Sequence, residues 1–154
     1  LYAKSDIIKD ILKDLNEIGK VVLSGQNGKK PPQPYAELNI ISEIISNEFD
    51  EVRYMDKDDQ FIGKYKNNVK LTLSLTHHSK DNLDDEINYL ADYFRVGIKK
   101  LQSKYGFSVL SEPNIMNRNT ILNVEFSNIK GFDVTLFIDY LIEDVTEFIE
   151  EVQL

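Results

Sequence analysis

The first apolar positions of the chain, Ile7, Ile8, Ile11, Leu12, Leu15 and Ile18, recur at three-and-four spacing. That period draws one stripe along a helix, so a helix is predicted near residues 5–19, with Ser5 as N-cap and Gly19 as stop. Leu23 to Pro34 carries two glycines and three prolines, which permit unusual dihedrals and forbid helix, and reads as a loop. From Tyr35 the pattern turns strand-like through Leu38 and Ile40. Glu51 to His78 then reads as a meander, with turns at Asp56-Lys57-Asp58-Asp59 and at Asn67-Asn68. Its clearest strand sets Val69, Leu71, Leu73 and Leu75 on one face and Lys70, Thr72, Ser74 and Thr76 on the other. One face of that sheet is therefore wet, or meets a partner.

A second helix is predicted over 81–104, with Leu83, Ile87, Leu90, Ala91, Phe94, Ile98 and Leu101 as its stripe. Asp81, Asp84, Asp85 and Glu86 stand at its start, Lys99, Lys100 and Lys104 near its end, and Gly106 follows, the charge order that a helix dipole favours. Phe107 to Leu110, Ile121 to Phe126 and Phe132 to Ile142 read as strands. In the last, Val134, Leu136, Ile138, Tyr140 and Ile142 share a face while Phe137 and Leu141 lie on the other, the pattern of a central strand. The segment from Val145 fits helix or strand. The fold class expected is α/β (α+β): a single domain over 1–154, with a mixed, mostly antiparallel sheet and two main helices packed on it.

Composition narrows the function. With 154 residues and 42% hydrophobic positions the chain can bury one core. A formal net charge of −8 argues against a protein that grips nucleic acid through a basic surface. The absence of cysteine removes thiol nucleophiles, disulfides and thiolate metal sites. No apolar run exceeds three residues, so no membrane-spanning stretch or signal peptide is expected and the chain reads as soluble. Because the sequence begins at Leu1, processing before it stays open.

Candidate chemistry is thin. His77 and His78 are adjacent in a strand, so their side chains point to opposite faces and do not close on one metal. Asp56, Asp58 and Asp59 begin like a calcium loop, but Phe61 stands where glycine is needed and Asn67 where a bidentate carboxylate is needed. Gly25 to Lys30 lacks the spacing of a phosphate loop, and Pro31 and Pro32 follow. Glu51 with Arg53, or Glu125 with Lys130, lacks the spacing of a metal nuclease. No catalytic residue, cofactor or metal ligand is assigned.

Charge placement says more. Residues 61–80 hold Lys64, Lys66, Lys70 and Lys80 without an acid, whereas 131–154 hold seven acids without a lysine or arginine. The two segments either neutralise each other within one molecule or meet between neighbouring copies. For the second case the contact residues expected are Phe61, Lys64, Tyr65, Lys66 and Lys70 on one side and Glu143, Asp144 and Glu147 on the other.

Taken in order, several segments resemble the neck or tail-terminator proteins of long-tailed bacteriophages. They are Pro32-Gln33-Pro34-Tyr35 entering a strand, Leu71-Thr72-Leu73-Ser74-Leu75-Thr76 before a helix, Asp92-Tyr93-Phe94-Arg95-Val96-Gly97-Ile98, Arg118, and Gly131-Phe132-Asp133-Val134 leading to an acidic end. The resemblance runs from about residue 5 to the C-terminus. It implies a homo-oligomeric ring, typically a hexamer, that caps the head-proximal end of the tail tube and stops its polymerisation. The implied partners are the tail tube protein, the tail sheath where there is one, and a head-side connector or stopper, with DNA passing through the lumen unread. The implied location is the virion neck after synthesis in the host cytoplasm, and no catalytic motif comes with the family. The alternative class is an acidic cytoplasmic binding module, such as a secretion chaperone or adaptor.

Overall fold

The computed structural model describes residues 4–25, 28–46, 50–55, 61–80, 84–119 and 128–143, with strand placement alone at 50–55, 61–66 and 141–143. The first helix, α1 (Lys4–Asn16), buries Ile7, Ile8, Ile11 and Leu15, the stripe read from the sequence. It begins one residue before Ser5, and Ile18 lies beyond its end and is exposed. Asn16 closes it: its Nδ2 donates to the carbonyls of Leu12 and Val21 (2.8 and 2.9 Å), and its Oδ1 accepts from Val21 N (3.1 Å). That side chain ties the helix to β1 (Val21–Leu23), a strand too short for alternation to reveal.

The rest of the sheet comprises β2 (Tyr35–Ile45), β3 (Asp50–Met55), β4 (Phe61–Ser79), β5 (Phe107–Val109), β6 (Met116–Asn117) and β7 (Asn128–Glu143). Among the described residues the order is β1-β2-β4-β7-β5, with β3 also on β4 and β6 also on β7. The β1–β2 pair is parallel and the other pairs are antiparallel. The sheet is thus mixed and mostly antiparallel, and β7 is a central strand, as its two-sided pattern predicts. The register seats Leu71 opposite Leu136, Leu73 opposite Val134 and Leu75 opposite Phe132, so one apolar face runs across both long strands.

Asn67-Asn68 is not a turn, contrary to expectation: β4 runs through it without a break. Asn67 is only 2% exposed, with Nδ2 donating to Tyr140 Oη at 3.0 Å and Oδ1 accepting from Asn68 N at 2.8 Å. A turn-forming amide is tolerated inside the strand because its polar atoms find partners there.

The second helical segment, helical from Asp85, is not one helix. It comprises α2 (Asp85–Asp92), a five-residue π turn (Tyr93–Gly97) and α3 (Lys99–Tyr105), followed by Gly106. The wider turn lets Tyr93 join Phe94 in the core, where the 3.6-residue stripe predicts Phe94 alone. Tyr93 Oη then donates to Asp14 Oδ2 of α1 (2.8 Å), and burial, with Asp14 adding to it, pushes the phenol pKa far up. Tyr105 Oη and Lys104 Nζ likewise reach Asp10 Oδ2 (2.6 and 3.1 Å), holding that carboxyl below its ordinary range. α1 and the second helical segment therefore form one layer over the apolar face. The expected turn at 56–59, the strand at 121–126, the helix start at 81–83 and the segment from Val145 fall outside the described residues.

Candidate docking face of the sheet

The helices cover one side of the sheet, where Val69, Leu71, Leu73, Leu75, Phe132, Val134, Leu136 and Ile138 are buried. The other side carries the alternate positions. By register these are Glu37, Asn39, Ser42 and Ile44 on β2, Lys70, Thr72, Ser74 and Thr76 on β4, and Gly131, Asp133, Thr135, Phe137 and Asp139 on β7. Ile41, in the irregularity between Ile40 and Ser42, and Ile44 are 50% and 61% exposed, and Met116 on β6 is 61% exposed. Large apolar side chains at this exposure around a polar centre are a contact pattern rather than a catalytic one.

The polar centre is organised by Arg118. Its Nη1 donates to Ser74 Oγ (2.7 Å) and Thr76 Oγ1 (2.9 Å), and its Nη2 to Asp133 Oδ1 (2.8 Å). The guanidinium lies close over Gly131, where a Cβ would come within 2.6 Å of Cζ. Beside it, Thr72 and Thr135 share a hydrogen bond between their hydroxyls (3.1 Å). The segment carrying Arg118 is stitched to β7 through Arg118 N to Ile129 O and Ile129 N to Asn119 Oδ1 (2.8 and 2.7 Å). Arg95 secures the preceding stretch, bonding Asp92 Oδ1 and the Pro113 carbonyl (2.8 and 2.9 Å).

This cluster was not singled out as a site by sequence reasoning. The signal for it was the run of hydroxyls at 72, 74 and 76 facing Asp133 and Thr135, which needs the β4–β7 register to be read. The contact residues named from charge fall elsewhere, at the far end of β4. The register pairs Lys64 with Glu143, Tyr65 with Ile142, Lys66 with Leu141 and Lys70 with Phe137, while Phe61 pairs with Met55 of β3. By register Lys64, Lys66 and Lys70 are alternate positions of β4, Glu143 is the partner of Lys64, and Lys70 stands on the open face that carries Arg118. Lys70 is exposed there, and Asp144 and Glu147 lie outside the described residues.

The histidines take opposite faces, as their adjacency requires. His78 stacks on Tyr35, with centroids 4.7 Å apart and planes 12° from parallel. His77 is buried among the helices, its Nε2 3.7 Å from Glu86 Oε2. Burial holds both imidazoles below the ordinary histidine range, against the opposing pull of Glu86 on His77 and Glu37 on His78. A depressed folded-state pKa means that the unfolded chain takes up protons first, so stability is complete above about pH 6.5 and declines as pH falls. Denaturation midpoints measured in chelator are expected to drop between pH 7 and pH 5, with a slope below about 1.4 kcal/mol per pH unit for each imidazole. His78→Gln is expected to flatten that slope, and an unchanged slope in His78→Gln would refute the assignment to His78.

No helix among the described residues is long and apolar enough to cross a membrane. No curated protein matches the chain. Comparison with protein families matches residues 5–154 to the phage neck terminator proteins. Three of the segments that carry the resemblance in sequence meet on the open face, through Ser74 and Thr76, Arg118, and Gly131 with Asp133. With nearly its whole length matched and its α/β architecture as expected, the chain belongs to the phage neck terminator family, a structural component of the bacteriophage neck.

Proposed function

We propose that the chain assembles into a ring, typically a hexamer, on the head-proximal end of the tail tube, ends tube polymerisation there and presents a docking surface to the head-side connector or stopper. The observation that carries this reading is a sheet face that the helices among the described residues leave uncovered, in a member of a neck terminator family. A closed ring needs two different surfaces per subunit that fit each other, and one sheet side with its own polar centre and exposed isoleucines suits one of them. The role involves no catalytic step and no cofactor. The net charge of −8 suits a lumen through which DNA passes unread, because a duplex with one negative charge per about 1.7 Å does not adhere to an acidic wall. Tail tube protein, and sheath where the tail contracts, are the partners on the other side. Synthesis takes place in the host cytoplasm. Family membership favours this reading over an acidic adaptor.

Subunit contact is assigned to the far end of the β4–β7 pair, with Phe61, Lys64, Tyr65, Lys66 and Lys70 against Glu143, Asp144 and Glu147 of the next copy. Exposed ion pairs contribute only about 0–1 kcal/mol each, so the charges set direction and register, and the apolar Phe61 and Tyr65, at the alternate positions of the same strand, would add area from its other side. Lys64 and Glu143 are opposite one another within one subunit, so a single reversal would set like charges face to face. Every copy in a ring carries the same changes, so Lys64→Glu with Glu143→Lys would keep opposite charges both within a subunit and between neighbours. Electron microscopy of purified protein mixed with tail tubes is expected to show rings on the tube ends with the native chain. At low salt, occupancy should fall severalfold with Lys64→Glu and Lys66→Glu together, and recover in part when Glu143→Lys and Asp144→Lys are added. Native occupancy in folded protein carrying Lys64→Glu and Lys66→Glu would refute the contact assignment, and bare tube ends with native protein would refute the ring.

A further inference from the structure

At the end of the covered face remote from Lys64, a cavity of about 370 Å³ opens between the start of α2, the end of β4 and the segment leading into β2. Gln33, His77 and Glu86 line it, with Lys80 and Asp85 also on its wall. His77 is 3% exposed, and its Nε2 has no hydrogen-bond partner. Gln33 Oε1 is also buried without a partner. Native proteins leave few buried polar atoms unsatisfied, so two on one cavity point to a ligand that both can bind.

Geometry narrows the ligand. His77 Nε2 and Glu86 Oε2 are 3.7 Å apart, too far for a hydrogen bond. A water or ammonium bridging them tetrahedrally at about 2.8 Å would need them about 4.6 Å apart. A small cation bound at about 2.0–2.2 Å by both sets its ligands about 3–4 Å apart, which spans the observed separation. Glu86 is seated for this by Gly19: a Cβ there would collide with the carboxylate. Among the described residues no trio of histidine and carboxylate groups converges on a metal position. The cavity instead offers an unpartnered amide oxygen, Gln33 Oε1, as a candidate third donor.

We propose that His77 Nε2, Glu86 Oε2 and Gln33 Oε1 bind a first-row divalent cation, with solvent completing its shell. One imidazole with carboxylate and amide oxygens is a donor set suited to zinc, cobalt or manganese rather than to soft monovalent copper. The cation would clip three parts that are far apart in sequence: the approach to β2, the end of β4 and the first turn of α2. His78 takes no part, since it stacks on Tyr35 on the opposite face. The proposal is independent of the neck role.

The test uses the whole chain stripped of metal and titrated with zinc by calorimetry. Imidazole resonances are followed by NMR and thermal unfolding is measured with and without zinc. Saturable binding of one zinc per chain is expected, with the His77 resonances shifted, those of His78 unmoved, and Tm raised by several degrees. Glu86→Gln and Gln33→Ala should each weaken binding tenfold or more, and His78→Asn should leave it unchanged. Glu86 is half-buried, so Glu86→Gln tests the site even if His77→Asn fails to fold. Absence of saturable binding, undiminished binding in Glu86→Gln, or a shift confined to His78 would each overturn the proposal.

Discussion

Phe132→Ala is expected to cost about 3–5 kcal/mol, the range for emptying an aromatic site in a close-packed core. Phe132 is 1% exposed, at the centre of the apolar face of β7. Its ring meets Phe94 edge-to-face, with centroids 5.6 Å apart and planes at 73°, and Phe94 meets Tyr93 in the same way at 5.2 Å. The substitution removes both the buried area and the aromatic contact that joins sheet to helix. Neither wall can move in to fill the space, because β7 is pinned between β4 and β5 and the π turn is tied to α1 through Tyr93 and Asp14. For a domain whose total stability is on the order of 5–15 kcal/mol, that loss lowers Tm by on the order of 10 °C. Urea denaturation should show a lower midpoint with an unchanged slope, and Phe132→Leu should lose less than half as much. A change below about 1 kcal/mol in Phe132→Ala would mean that the core is not packed as described.

Gly131→Ala is expected to destabilise by about 1–3 kcal/mol, although alanine is the smallest addition possible. The new Cβ would stand 2.5 Å from the Leu75 carbonyl oxygen and 2.6 Å from Arg118 Cζ. The carbonyl belongs to the neighbouring strand, in the ladder where Thr76 faces Gly131, and it retreats only if β4 and β7 separate locally. Arg118 can retreat, but only by giving up Ser74, Thr76 and Asp133. Arg118→Ala alone should cost about 1 kcal/mol, since Asp133 is half-exposed and water replaces its partner. In Gly131→Ala with Arg118→Ala one of the two collisions is gone, so the combined loss should be smaller than the sum. Arg118→Lys should not restore stability, because an ammonium lacks the planar fork that reaches three oxygens at once. Full additivity in the double variant would show that Arg118 does not lie over Gly131.

Local periodicity located the main elements because its physical cause is local. A helix returns to the same face every 3.6 residues and a strand every two, so Ile7 to Leu15 and Val69 to Leu75 declare both their element and their buried side. The Lys99 to Gly106 end of the second helical segment and the central position of β7 followed from the same kind of pattern. Charge and cysteine content depend on composition alone, and the order of the quoted segments was enough for the family. Tertiary structure decided everything that depends on partners distant in sequence. Asn67 carries a turn former's local preference, and Tyr140, far along the chain, keeps it inside a strand. The π turn exists where burying Tyr93 against α1 outweighs regular helix spacing. Val21 to Leu23 is a strand only because Asn16 and β2 hold it. Arg118 meets Ser74 and Thr76 across separations of 44 and 42 positions, and strand register sets Lys64 opposite Glu143. Neither pairing has a short-range signature: a strand's own sequence states which residues share a face, and the neighbouring strand selects which of them become partners.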